Sequence, residues 1–243
     1  VPPDVYKEKV VPIFKNLAKE FGDVPLKVIN DGEVTAVAGA LMVKEGNLMG
    51  ISMGSSEGGG YCNKDKNLMG WINELCYIQL DLNPEAPTDP WTMGHTGTSH
   101  MYLGQRGATK LAAKAGIDLP EDLHPDHPNM CSMKHEPHAK VLKLIQAALK
   151  DPEKEKKVRW LYETVGVYLG YALAQYSEHY RIDNVIILGR VSSGDGGKIM
   201  CDKAKEVLTT EFPELGKIKF HFPDEHFKRV GQCIAAAALP ELK

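Results

Sequence analysis

The chain has 243 residues, a formal charge of −3, 43% hydrophobic and 25% charged residues. That length suits one large domain with a sizeable core, and the near-neutral balance carries no electrostatic footprint for nucleic acid or an anionic membrane. Five cysteines, at 62, 76, 131, 201 and 233, are odd in number and never spaced Cys-x-x-Cys, a pattern of reduced cytoplasmic thiols rather than a disulfide framework. Residues 1–4 open neither a basic region nor an apolar run, so no signal peptide is visible. The most apolar long segment, 158–176, carries Arg159 and Glu163 and is too amphipathic to span a bilayer.

In chain order, apolar residues at Val10, Phe14, Leu17 and Phe21 predict a helix over 6–21. Val24-Pro25-Leu26-Lys27-Val28-Ile29 reads as a short buried strand, followed by Asn30-Asp31-Gly32 and an alanine-rich helix from 33 to about 43. Residues 47–53 alternate as a strand, a glycine turn follows, and 60–62 begin the return strand. A third strand of the same sheet is expected at 75–81.

Two long loops follow, at 83–97 and 119–138, rich in proline and separated by a helix at 105–115; another helix covers 139–149. Loops of that length inside a domain are usually functional or cover a site. The last third is regular: a helix over about 155–180, a strand at 184–188, a loop at 189–197, a helix at 198–210, a strand at 217–222 and a helix at about 226–238. Gly166 and Gly170, four apart on the long helix, indicate close backbone packing. The whole reads as an α/β layered domain with a loop-rich helical insertion over about 83–150.

Three places can carry chemistry. Gly54-Ser55-Ser56-Glu57-Gly58-Gly59-Gly60, between two strands, is either an anion-binding hairpin, its N–H groups forming a concavity with hydroxyls from Ser55 and Ser56, or a plain turn. Val191-Ser192-Ser193-Gly194-Asp195-Gly196-Gly197-Lys198 lies after a buried strand, where open α/β sheets bind ligands. It does not match a Walker A loop, and it is equally a strand-to-helix turn capped by Ser193 or Asp195. Asp31, just ahead of a helix, is either a general base or part of a cap in which Asn30 and Glu33 form a capping box.

The order of these elements resembles one lobe of the actin-like ATPase (ribonuclease H-like) superfamily, with a mixed sheet flanked by helices. Within it the sequence resembles the C-terminal part of the ROK family (repressors, open reading frames, sugar kinases). Ile29-Asn30-Asp31 with the run 34–40 is similar to that family's catalytic segment, and Gly54–Gly60 to its second phosphate hairpin. Ile187-Leu188-Gly189-Arg190-Val191-Ser192-Ser193-Gly194 is similar to its adenosine loop, and the run 230–237 to its closing helix. The resemblance implies ATP-dependent phosphoryl transfer to a sugar hydroxyl, with ATP and Mg²⁺ as cofactors. Asp31 would be the base, and Asn30, Glu74 and His100 would contact the sugar. Gly54, Ser55, Ser56 and Gly58 would hold the terminal phosphates, with Gly189, Ser193, Gly194, Gly196 and Gly197 near the adenosine.

The chain departs from the family pattern at several places. Tyr77 stands where the family has a histidine, and His100 where it has a second glutamate. Gly94–His100 occupies the place of a cysteine zinc motif, so no structural zinc of that kind is expected. No Asp-x-Gly-Gly-Thr loop precedes Asp31. The resemblance therefore implies a single C-terminal lobe over 1–243, completed by an N-terminal lobe or a second chain, with a homodimer as a further possibility. The alternative is a non-catalytic nucleotide- or sugar-binding regulator of the same fold. A third reading places a metal on His124, His127, Cys131, His135 and His138; the prolines and irregular spacing there favour a solvated loop.

Overall fold

The computed structural model of the chain describes residues 1–89, 94–130 and 135–238. Pro3–Val5 (α1) passes through a wide helical turn, Tyr6–Val10, to Ile13–Glu20 (α2). Then come Asp31–Val43 (α3), the strands Leu48–Met53 (β1) and Glu57–Cys62 (β2), His100–Leu103 (α4), Gln105–Lys114 (α5) and Glu136–Ala148 (α6). Glu155–Ser177 (α7), Asn184–Leu188 (β3), Gly194–Glu211 (α8), Lys219–His221 (β4) and Glu225–Ala238 (α9) complete the order.

The four strands form one mixed sheet in the order β2-β1-β3-β4, with β1 antiparallel to β2 and parallel to β3, and β3 parallel to β4. Alternation along β1 and β3 sends Met49, Ile51, Val185 and Ile187 into a core shared with α7 and α8. Leu48 and Ile186 point the other way, into a smaller cluster with α3 residues and Ala235 of α9. The domain is thus an α/β layer structure with helices on both faces of the sheet.

Glycine decides how closely the layers approach. Gly50 and Gly60 are paired across β1 and β2 on the face that α3 covers. A Cβ on Gly60 would lie 2.1 Å from the Gly32 carbonyl oxygen, and one on Gly50 2.7 Å from the Ala36 nitrogen. The bare strand surface therefore lets the first turn of α3 rest directly on the sheet. On the opposite layer Gly166 and Gly170 bring α7 onto Met200 and Val207 of α8, the close packing that their four-residue spacing indicated.

Two expected strands are not strands. Residues 24–29 belong to no strand or helix, and Val24, Leu26 and Val28 are exposed. The segment runs beside α3 and α9, where Leu26, Val28 and Ile29 line a groove with Phe14, Val34 and Cys233, so no ladder partner is within reach. Residues 75–81 begin as the single helical turn Leu75–Tyr77. Tyr77 and Ile78 N–H bond locally to Glu74 and Leu75. Gln79 then makes a single antiparallel bridge to Thr98, with Leu80 N–H donating to the Gly97 carbonyl and Ser99 N–H to that of Ile78, so the segment pairs with 97–99 instead of joining the main sheet. The glycines of 194–197 lie in the first turn of α8, not in a loop: the helix starts at Gly194, four residues before the position expected from sequence.

Candidate functional site

Asn30 caps α3. Its side-chain oxygen accepts the Gly32 N–H at 2.8 Å, and its own backbone N–H is held by Glu33, the reciprocal pair of a capping box. Asp31 begins the helix, exposed, with Oδ1 accepting the same Gly32 N–H at 2.9 Å. The cap and the carboxylate are therefore compatible, because the cap uses Asn30 and leaves most of Asp31 facing solvent.

The Gly32–Gly60 contact sets this helix start beside the hairpin. A cavity of about 300 Å³ is lined by Asn30, Asp31, Gly54, Ser55, Ser56, Gly58 and Glu74, with Asn73, Cys76, Tyr77 and Gln232 completing its wall. Gln232 is fixed by its amide, which donates to Thr35 Oγ1 at 2.8 Å. Seven residues nominated from sequence thus meet around one space, although they come from α3, the β1–β2 turn and the stretch ahead of Leu75. Cys76 reaches Glu74 Oε2 at 3.6 Å, and burial pushes its thiol up to about 12, so it is a protonated donor.

Glu57, within the hairpin, also lines this cavity, though the sequence pattern does not mark it as a site residue. It is fully buried and its carboxyl holds Ser99 Oγ and the Tyr176 hydroxyl, which lies 2.9 Å away. Burial pushes its pKa up to about 7, against the opposing pull of those two hydrogen bonds. A charged residue in a glycine-rich turn was the available sequence signal; its burial depends on α7, more than a hundred residues away.

His100 lies behind the hairpin instead of lining the cavity. It is 3% exposed, and its Nδ1 sits 3.0 Å from Ser56 Oγ. Burial holds its imidazole below the usual range.

A second cavity of about 530 Å³ shares Gly54 and Ser55 with the first and adds Gly189, Arg190, Lys143, His135 and the ion pair of Lys140 with Glu136 at 3.0 Å. Its basic side chains on α6 and beside Gly189 were not read as functional from sequence. The only signal was two lysines three apart on one helix face. A third space of about 590 Å³ is lined by Ser193, Gly194, Gly196 and Tyr162. Ser193 stands at the helix cap position but turns its hydroxyl to the Gly189 carbonyl at 3.1 Å. Gly197 packs against the Ser192 carbonyl and lines none of these three spaces.

Of the histidine-rich loop, Cys131 lies outside the described residues. His138 turns inward to Thr109 Oγ1 at 3.1 Å, His124 pairs with Asp126 at 3.5 Å, and His135 lines the second cavity. No group of three or more His, Cys, Asp or Glu suited to a metal gathers among the described residues. No helix among them is long and apolar enough to cross a membrane. The described cysteines, 62, 76, 201 and 233, are free thiols.

No protein-family model matches the chain, and no curated protein matches it in sequence. Solved structures match it in fold. A ROK-family transcriptional regulator, a homolog of the E. coli MLC protein, superposes with a TM-score of 0.65 at 18% identity, over 93% of this chain and 55% of its own. The fold is that of the ROK proteins and sugar kinases. A ROK-family glucokinase from Streptomyces griseus, in complex with glucose and AMPPNP, gives 0.62 at 17% identity over 94% of this chain and 72% of its own. The ROK hexokinase of Thermus thermophilus gives 0.62 at 18% identity, over 95% and 70%. The chain thus spans just over half the length of the ROK regulator and about seven-tenths of the two ROK kinases.

Proposed function

We propose that the protein transfers the terminal phosphoryl group of ATP to a sugar hydroxyl. The observation that carries this reading is the single cavity that Asp31, Glu74 and the glycine hairpin line together, with Gly54 and Ser55 shared by a neighbouring basic cavity. Phosphoryl transfer asks chiefly for positioning and charge stabilisation. The hairpin supplies backbone N–H groups and two hydroxyls for the terminal phosphates, and Lys140, Lys143 and Arg190 offset their charge. Asp31 takes the proton of the attacking hydroxyl, and Asn30, whose oxygen is used by the cap, presents its amide to a neighbouring hydroxyl. Glu74 holds another. A cavity of this size, at the small end for ligand sites, suits a monosaccharide.

Mg²⁺ keeps several waters and binds through one or two carboxylates plus substrate phosphates. One exposed aspartate beside a phosphate hairpin fits that pattern, so Asp31 with Ser55 or Ser56 would hold the ion through its waters. When bound it would supply charge neutralisation for the terminal phosphates. Ser193, Gly194 and Gly196, lining the third space, would border the adenosine. The exposed apolar stretch ahead of α3 would face an N-terminal lobe or a second chain, and the free thiols suit a cytoplasmic protein.

Asp31→Asn keeps the side-chain shape and loses the base. In the intact protein, with ADP release measured over a panel of hexoses and N-acetylhexosamines, the turnover number should fall by roughly 100-fold or more. Survival of sugar phosphorylation in this variant would remove Asp31 from the role. A second reading, a regulator that binds nucleotide or sugar without turnover, is favoured by the transcriptional regulator among the structural matches. Calorimetric binding of glucose or AMPPNP with no ADP release from the wild type would select it.

A further inference from the structure

Ser56, His100 and Asp89 form a line running inward from the cavity, half-buried at Ser56 and buried at His100 and Asp89. Ser56 faces the cavity at the tip of the hairpin. His100 Nδ1 stands 3.0 Å from its Oγ, closer than the Glu57 carbonyl, which that hydroxyl reaches at 3.5 Å. On the far side of the ring, Nε2 lies 3.8 Å from Asp89 Oδ1, and Asp89 is fully buried. Asp89 is itself oriented: its Oδ2 accepts the Thr98 hydroxyl at 2.9 Å, and its backbone N–H donates to the His95 carbonyl. A carboxylate facing Nε2 favours the tautomer with the proton on Nε2, which leaves Nδ1 as an acceptor for the serine proton. Hydroxyl, imidazole base and orienting carboxylate in series are the arrangement that activates a serine nucleophile. A base–orienter contact that is long in the free protein commonly tightens once the site is filled.

We infer that Ser56 is an activated nucleophile that accepts a phosphoryl group from the nucleoside triphosphate bound against its own hairpin. This rests on the phosphate-binding reading above. Ser56 Oγ forms a bond to the γ-phosphorus, the bond from that phosphorus to the bridging oxygen breaks, and nucleoside diphosphate leaves. The serine proton passes to His100 Nδ1. Asp89 acts as a positioning residue through the ring. The product carries a dianion at the hairpin tip, in the cavity that Asp31 also lines, so it occupies the space of the incoming γ-phosphate.

The test is phosphosite mapping of the intact protein after incubation with ATP and Mg²⁺ in the absence of sugar, with AMPPNP binding measured in parallel by calorimetry. Phosphoserine at 56, approaching one per chain and absent from Ser56→Ala, is the expected result. His100→Gln should slow its appearance by about 100-fold. Asp89→Asn should lower the saturated rate at least tenfold while leaving the ATP concentration for half-maximal rate unchanged, a split that a merely structural role would not produce. Binding of AMPPNP without phosphoserine in the wild type overturns the inference and leaves the nucleotide reading standing. No binding and no phosphoserine removes both. Because the wild type decides the matter, a variant that fails to fold does not protect the proposal.

Discussion

Glu57 and His138 are two buried titratable groups with opposite pH signatures. Burial raises Glu57 to about 7, so the native state keeps a proton that the unfolded chain releases at its ordinary, lower value. Its contribution to stability is therefore fullest in acid and declines as pH climbs from the ordinary carboxyl range through about 7. His138, held down to about 4 by burial, works the other way and loses stability as pH falls toward 4. The difference between wild type and Glu57→Gln isolates the first effect. Its amide can still accept from one of Ser99 and Tyr176 and donate to the other, without ever charging. The variant's stability relative to wild type should improve by up to about 1.4 kcal/mol per pH unit between pH 5 and 7. Urea unfolding at pH 5 and at pH 7.5 checks this; an unchanged difference would show that Glu57 keeps an ordinary pKa.

At the level of elements, the hairpin glycines divide their labour. Gly54 lies in the turn and faces both cavities, while Gly60 lies in the body of β2 and faces the backbone of Gly32. Gly60→Ala should force α3 away from the sheet and cost about 1–3 kcal/mol, the usual range for overpacking. It should also weaken any sugar phosphorylation beyond that loss, because Asp31 rides on the displaced turn. Thermal unfolding together with turnover distinguishes this from a neutral change. The glycine cluster is conspicuous in the sequence, but neither an anion-binding hairpin nor a plain turn accounts for Gly60, which serves helix docking. The same limit produced the expected strand at 24–29: an apolar run of that length specifies burial or a partner, and strand pairing requires a neighbour that no local pattern names.

At the level of the molecule, the two cores begin at Val34 and involve none of the apolar residues of α1, α2 or the turn between them. Phe21 and Val28 are 69% and 59% exposed. Changing both to serine should leave the thermal midpoint of the 243-residue chain nearly unmoved, within about 0.5 kcal/mol per site. A marked loss would mean that this stretch is packed on the domain in solution. Most of the architecture was legible in advance: the helix period at 155–177, the strands around 48–62 and 184–188, and a mixed α/β order follow from hydrophobic spacing and turn residues, which act over a few neighbours. Asp31 and the Ser-Ser hairpin stood out by residue type between predicted elements, whereas Glu74 was nominated only through the resemblance to the ROK family. Their convergence on one cavity, the burial of Glu57 against Tyr176, and the line from Ser56 through His100 to Asp89 were not legible. Each joins residues tens to more than a hundred positions apart, and the sign of a buried charge or the partner of a hydroxyl depends on what the completed fold sets against it.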